Sequence, residues 1–290
     1  MKTRRIWLGV GTAILAGPPA VAATPTAVAA QTLQAPPAKA QPPRFVLAQH
    51  ADHGAAVPTA KAGAGGEGEG GGKADANLPP ILVFFRGIEL IRGHLLVGNE
   101  LVGAGRWGDA LPHFLHPTEE IYGGLRNELK TYDVAPFETA LKALAQTVKA
   151  KNKDAYGRAL ATVNERLDAA ERAIKAKAPD GWAPFVLETA VEALKIAADE
   201  YGNAIAGNRI KLAVEYQDSR GFVLEAERMV ESVSGDLGAK DAQALAAIRA
   251  AFADLKRAWP APAPPKAPVK DVAEVLSDMS RIELQVGRFR

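Results

Sequence analysis

Three of the chain's five histidines, His94, His113 and His116, fall in one stretch that ends at Tyr122. His113 and His116 stand at i, i+3, so on a helix their imidazoles leave the same face. Glu119 and Glu120 follow about one helical turn later. Imidazole beside carboxylate is a donor set that iron, copper, nickel and zinc accept, and each ligating ring then needs an acceptor for its other nitrogen. The same residues also fit a helix terminus between Pro112 and Pro117, with the histidines bonded to backbone carbonyls. His94 favours the metal reading, because a long apolar helix has little other use for a lone imidazole. Glu119 and Glu120 are the weaker ligand candidates, since the helix dipole alone favours acidic residues in a first turn.

Other chemistries find no support in the sequence. There is no Gly-x-Ser-x-Gly, no phosphate loop and no His-Glu-x-x-His, so no hydrolase and no other enzyme is expected. The absence of cysteine rules out thiolate metal sites, cysteine nucleophiles and disulfides. Lys and Arg number 35 against 33 Asp and Glu, a net charge of +2. The two signs are interspersed, which argues against a nucleic-acid partner.

The N-terminus reads as an export signal. Met1 to Arg5 is basic, Ile6 to Gly17 is apolar but too short to span a bilayer, and Val21-Ala22-Ala23 offers a cleavage site. Residues 1–23 are therefore expected to be a signal peptide, of the general or the twin-arginine type, given Arg4-Arg5. Residues 24–77 are built from Ala, Pro, Gln and Gly and are expected to form a disordered tether, with His50 and His53 incidental to it. No later segment is apolar enough to be transmembrane. The expected location is the periplasm, as a soluble exported protein.

The elements that must position the histidines carry helical periodicity from Leu78 onward. Ile81 to Val102 is apolar nearly all round, as a central buried helix would be. Gly105-Arg106-Trp107 reads as a turn, Asp109 as an N-cap, and Pro117-Thr118 as a break and restart. Gly98, Gly103 and Gly105 are expected to permit close packing. Stripes follow at Phe137/Leu141/Leu144/Val148, Leu160/Val163/Leu167/Ile174, Leu187/Val191/Leu194, Phe222/Ala226/Met229 and Leu245/Ile248/Phe252. A proline-rich connector, Trp259 to Pro268, precedes a last helix over roughly 270–286. The expectation is an all-α bundle of about seven to eight helices over 78–290, with duplicated halves 78–178 and 182–290. In the duplication, Lys153-Asp154-Ala155 and Lys240-Asp241-Ala242 each open a helix, and His113 and His116 align with Glu215 and Asp218. Packing of the halves would then bring the two pairs together in the bundle core, as helical metalloproteins do.

In the second half, Glu200-Tyr201-Gly202-Asn203 is followed by Glu215-Tyr216-Gln217-Asp218 and then Phe222. This pattern, over residues 194–228, resembles the periplasmic helical extension of bacterial iron permeases of the Ftr1 type. The resemblance implies acidic and tyrosine groups near iron, here Glu200, Tyr201, Glu215, Tyr216 and Asp218. The permease's own Arg-Glu-x-x-Glu membrane helices are missing, so the chain is not the permease. A second, slighter similarity is to imelysin-like helical metal-binding modules, whose Gly-x-His-x-x-Glu signature is half echoed by Arg92-Gly93-His94, with Val97 at the Glu position.

The sequence thus leads to a periplasmic metal-handling bundle for a transition ion, Fe, Cu or Zn, tied to uptake or homeostasis of iron or copper. Its candidate ligands are His94, His113, His116, Glu119, Glu120, Glu200, Glu215, Tyr216 and Asp218. Its expected partners are the metal ion and a membrane metal permease or envelope protein. The competing reading is a metal-free scaffold docking on an envelope or transporter complex.

Overall fold

The computed structural model describes residue 75 and residues 77–178 and 181–290. The expected signal peptide and nearly all of the tether, with His50 and His53, lie outside the described residues. Among the described residues the fold is all-α, and the only pairing of strand type is an isolated bridge between Ile205 and Ile210.

α1 spans Pro80–Gly103. Proline at its first position begins the helix at no cost, because the first N–H groups have no helical partner. Beyond the helix, Gly105 at φ +73° turns the chain back. Phe84, Phe85, Ile88, Leu90, Ile91, Val97 and Leu101 are buried on several sides of it, as expected for a central helix. Its buried polar residues are Arg86, Glu89 and His94. Burial of this kind demands a specific partner for each polar group.

The principal partner is α7, Ala213–Ser232. The two helices meet glycine to glycine: a Cβ on Gly93 would sit 2.7 Å from the Phe222 ring and 3.1 Å from the Gly221 carbonyl carbon. This contact, with backbone against backbone, sets the register. It carries His94, one residue past Gly93, alongside Asp218, one turn before Gly221.

α2 (Trp107–His116) runs without interruption into a π-helical turn, Pro117–Ile121, and then α3 (Tyr122–Leu125). Here the structure departs from the expected break at Pro117. Proline has no N–H to donate, and the chain accommodates it by widening rather than stopping. The Tyr122 N–H reaches the Pro117 carbonyl, and Thr118 Oγ1 bonds back to Leu115 O at 3.0 Å rather than capping a new helix. Asp109 likewise lies inside the first turn, paired with Arg106 at 2.8 Å. Of the glycines expected to allow close packing, Gly98 does so against the Phe114 ring, which a Cβ there would approach to 2.7 Å, while Gly103 and Gly105 face open space.

α4 (Glu138–Lys149) and α5 (Lys153–Lys175) form a hairpin beside α1 and α2. Asn152 caps α5 through Ala155 N at 3.0 Å. α6 (Trp182–Ala204), α7, α8 (Ser234–Leu255) and α9 (Val272–Glu283) make up the rest. Ser219 on α7 bonds the Ala197 carbonyl of α6 at 2.6 Å. The helix opening read at Lys240-Asp241-Ala242 is a kink within α8. Asp241 leaves helical geometry there, and its carboxylate caps Ala244 N at 2.9 Å. α9 begins with a capping box between Asp271 and Glu274.

Between α8 and α9 the proline-rich connector crosses α7 as a strap. Three α7 side chains hold its carbonyls. Arg220 Nη1 donates to Trp259 O at 2.9 Å, the Tyr216 hydroxyl to Ala261 O at 3.4 Å, and Gln217 Nε2 to Pro262 O at 3.0 Å. Prolines cannot supply donors for a helix or ladder, so the strap depends on these side chains for its place.

Candidate metal centre

Three helices deliver the site. α1 supplies His94, the end of α2 supplies His113 and His116, and α7 supplies Gln217 and Asp218. His94, His113 and Asp218 are at most 1% exposed and Gln217 is 2% exposed. All three imidazoles turn Nδ1 towards one carboxylate. His94 Nδ1 and His113 Nδ1 each lie 2.6 Å from Asp218 Oδ1, and His116 Nδ1 lies 3.1 Å from Oδ2. The Phe222 ring stands edge-on to His94, with centroids 4.9 Å apart, and closes the apolar side.

His116 is the member that reaches solvent, with 19% of its side chain exposed. Its Nε2 lies 3.9 Å from Glu120 Oε1 on the π-helical turn. A π-turn displaces side chains from the regular helical face, and here it brings Glu120 to the mouth of the site.

The electrostatics follow from this packing. Burial alone would raise the Asp218 carboxyl. The facing imidazoles of His94 and His113, with hydrogen bonds from His113 and His116, outweigh that and hold it well below the ordinary carboxylate range. Burial also disfavours a charged His116, but the hydrogen bond and charge of Asp218 override it and raise the imidazole above its usual value.

His94, His113 and Asp218 form a possible metal site. A metal bound at about 2.0–2.2 Å by neighbouring donors holds them roughly 2.8–3.5 Å apart. The His–Asp separations here are 2.6, 2.6 and 3.1 Å, hydrogen-bond distances, so the donors would have to move apart to seat an ion. His94, His113 and Asp218 offer donor atoms that all lie within 4.8 Å of one another, a grouping unique among the described residues. Imidazole together with carboxylate is a donor combination that Fe, Cu or Zn accept, whereas Ca and Mg prefer oxygen-rich cages.

Other expected ligands lie elsewhere. Glu119 is exposed on the π-turn, and Glu215 is half-buried in the first turn of α7. Glu200 is half-buried near the end of α6. Tyr216 is buried with its hydroxyl directed at the strap, and burial pushes its phenol well above the ordinary range. Tyr201 likewise bonds away from the site, to Lys270 O at 2.7 Å. Glu100 pairs with Arg220 at 3.0 and 2.8 Å. Of the aligned pair Glu215 and Asp218, it is Asp218 that meets His113 and His116.

Sequence reasoning did not single out Gln217, whose Oε1 lies 3.0 Å from His113 Nε2. Nor did it find the buried Glu89 and Glu225, which Arg228 bridges at 3.1 and 2.8 Å. Both features arise from helices far apart in sequence, and no local spacing marks them.

Residues 183–288 match the iron permease-associated 4-helix bundle domain. The resemblance read at 194–228 lies inside this longer match, which takes in α6 to α9 and ties that part of the chain to an iron permease-associated domain. No curated protein and no solved structure matches the chain. The matched segment contains Gln217 and Asp218, whereas His94, His113 and His116 stand on helices before it. Among the described residues no helix is long and apolar enough to cross a membrane.

Proposed function

We propose that this protein is an exported, periplasmic metal-handling bundle. It takes up a divalent transition ion, iron or copper, as cargo and works beside a membrane metal permease. One observation carries the reading: three imidazoles from two helices converge through Nδ1 on a single buried carboxylate from a third. His94, His113, His116 and Asp218 are the proposed ligands, with Glu120 at the mouth. Support for the permease link comes from the iron permease-associated match.

The test is metal content after purification from the native compartment, together with titration by Fe²⁺, Cu²⁺ and Zn²⁺. Near-stoichiometric metal that is lost in the His113→Ala/His116→Ala double variant supports the proposal. Wild-type protein that carries no metal and binds each ion no tighter than about 10⁻⁴ M, the range of weak extracellular calcium modules, overturns it.

The metal-free docking reading draws on a different feature. Val269, Leu276 and Leu284, in and beside α9, are exposed, at 53%, 48% and 76%. Replacing Leu276 and Leu284 by serine would abolish docking on that reading while leaving metal binding intact. The burial of His94 and His113 weighs against it, because a docking face would carry its polar residues outward.

A further inference from the structure

The amide of Gln217 is committed at both ends. Its Nε2 donates to the Pro262 carbonyl at 3.0 Å, and its Oε1 lies 3.0 Å from His113 Nε2. A carbonyl oxygen only accepts. Turning the amide over would set oxygen against oxygen at Pro262, so Oε1 must face the histidine. Oε1 also only accepts, and His113 Nε2 therefore carries a hydrogen.

Asp218 engages the other ring nitrogen: His113 Nδ1 lies 2.6 Å from its Oδ1 and donates to it in the metal-free protein. With Nε2 held by Gln217, Nδ1 is the nitrogen left to face the cluster, where a cation can take the place of that hydrogen. The ring nitrogen that ligates is set by the hydrogen bond the other one makes.

We infer that Gln217 is a positioning residue that makes His113 an Nδ1 ligand, and that the proline-rich strap holds Gln217 in that role through Pro262. The strap is fit for this because Arg220 and Tyr216 fasten the same carbonyl run on either side of the relevant helix turn, at Trp259 and Ala261. The carbonyl of Pro262 thus has a fixed position, and the orientation of one amide follows from it. This inference rests on the proposed function only for the ion; the position of the hydrogen on His113 is a property of the protein alone.

The experiment uses the full chain with ¹⁵N-labelled histidine side chains, and Zn²⁺ alone as the probe. Wild type is compared with Gln217→Leu, which removes the acceptor, and Gln217→Glu, which keeps it. In wild type, His113 Nε2 is expected to be protonated with and without Zn²⁺. In Gln217→Leu the Nε2 hydrogen loses its acceptor, so the Nε2 signal of the metal-free chain should change, and Zn²⁺ affinity should fall roughly 10–100-fold, the usual cost of losing an outer partner of a ligating histidine. Gln217→Glu keeps an acceptor for the Nε2 hydrogen but has no N–H for the Pro262 carbonyl, so it should retain that hydrogen with an affinity between those of wild type and Gln217→Leu.

A wild-type His113 without hydrogen on Nε2 overturns the inference. So does a leucine variant with unchanged ring signals and unchanged affinity. If the leucine variant does not fold, the wild-type signals and the glutamate variant decide the question. If no variant binds Zn²⁺, the metal proposal falls, while the ring signals still decide the role of Gln217.

Discussion

Replacing Asp218 by asparagine probes whether one buried charge organises three helices. The carboxylate is about 1% exposed and receives three imidazole nitrogens at 2.6, 2.6 and 3.1 Å. Each charge-assisted bond contributes about 1.5–3 kcal/mol. Against this, burying the charge itself costs several kcal/mol, a cost that the neutral amide avoids. An asparagine would also turn an NH₂ towards rings that need an acceptor. The net expectation is a loss of about 3 kcal/mol in the metal-free protein. For a domain of this size, that corresponds to a fall in Tm of about 6–12 °C. The assay is thermal and urea unfolding of wild type and Asp218→Asn at pH 7 in the presence of a chelator. A shift below about 2 °C, or stabilisation, would refute the claim that Asp218 acts as an anion among the three rings.

Titration should show the same network from both sides. The lowered carboxyl of Asp218 adds stability above the ordinary value of about 3.9, and that contribution is lost as pH falls through its lower folded value. The raised imidazole of His116 adds stability below about 6.5, lost as pH rises through its higher folded value; His116→Gln should remove this upper limb from a stability–pH curve. Burial and the neighbouring Glu225 push Glu89 well above the ordinary carboxyl range, so stability should also decline with rising pH above about 4.3. Glu89→Gln, which mimics the neutral acid, should flatten that decline in chemical denaturation across pH 4–8, and an unchanged slope would count against it. Gly221→Ala would press a methyl against the Gly93 backbone and Val97, with the Gly93 carbonyl carbon 2.9 Å away. It should cost about 1–3 kcal/mol, whereas Gly103→Ala, which faces open space, should be neutral or stabilising.

The helices were legible because their signals are local. The all-round apolar character of Ile81 to Val102 and the stripes after Phe137 act within a turn or two of their own backbone, whereas the caps read at Asp109 and Thr118 did not form, their side chains bonding to Arg106 and the Leu115 carbonyl instead. The π-turn at Pro117 was not legible, since proline marks a disturbed ladder without saying whether the chain will stop or widen. His113 and His116 were visible as an i, i+3 pair, and Asp218 could be reached through the resemblance in the second half.

By itself, the sequence determined an all-α bundle, the apolar setting of His94 and the types of donor available. Only the tertiary structure decided which acidic residue joins the histidines. Glu215 and Asp218 are equivalent by spacing, but the contact of Gly93 with Gly221 sets the register of α1 on α7 and turns Asp218 inward. The strap then orients Gln217, and Gln217 orients His113. These are contacts between residues about a hundred positions apart, and their selection depends on backbone approach and burial, which no local pattern of side chains encodes.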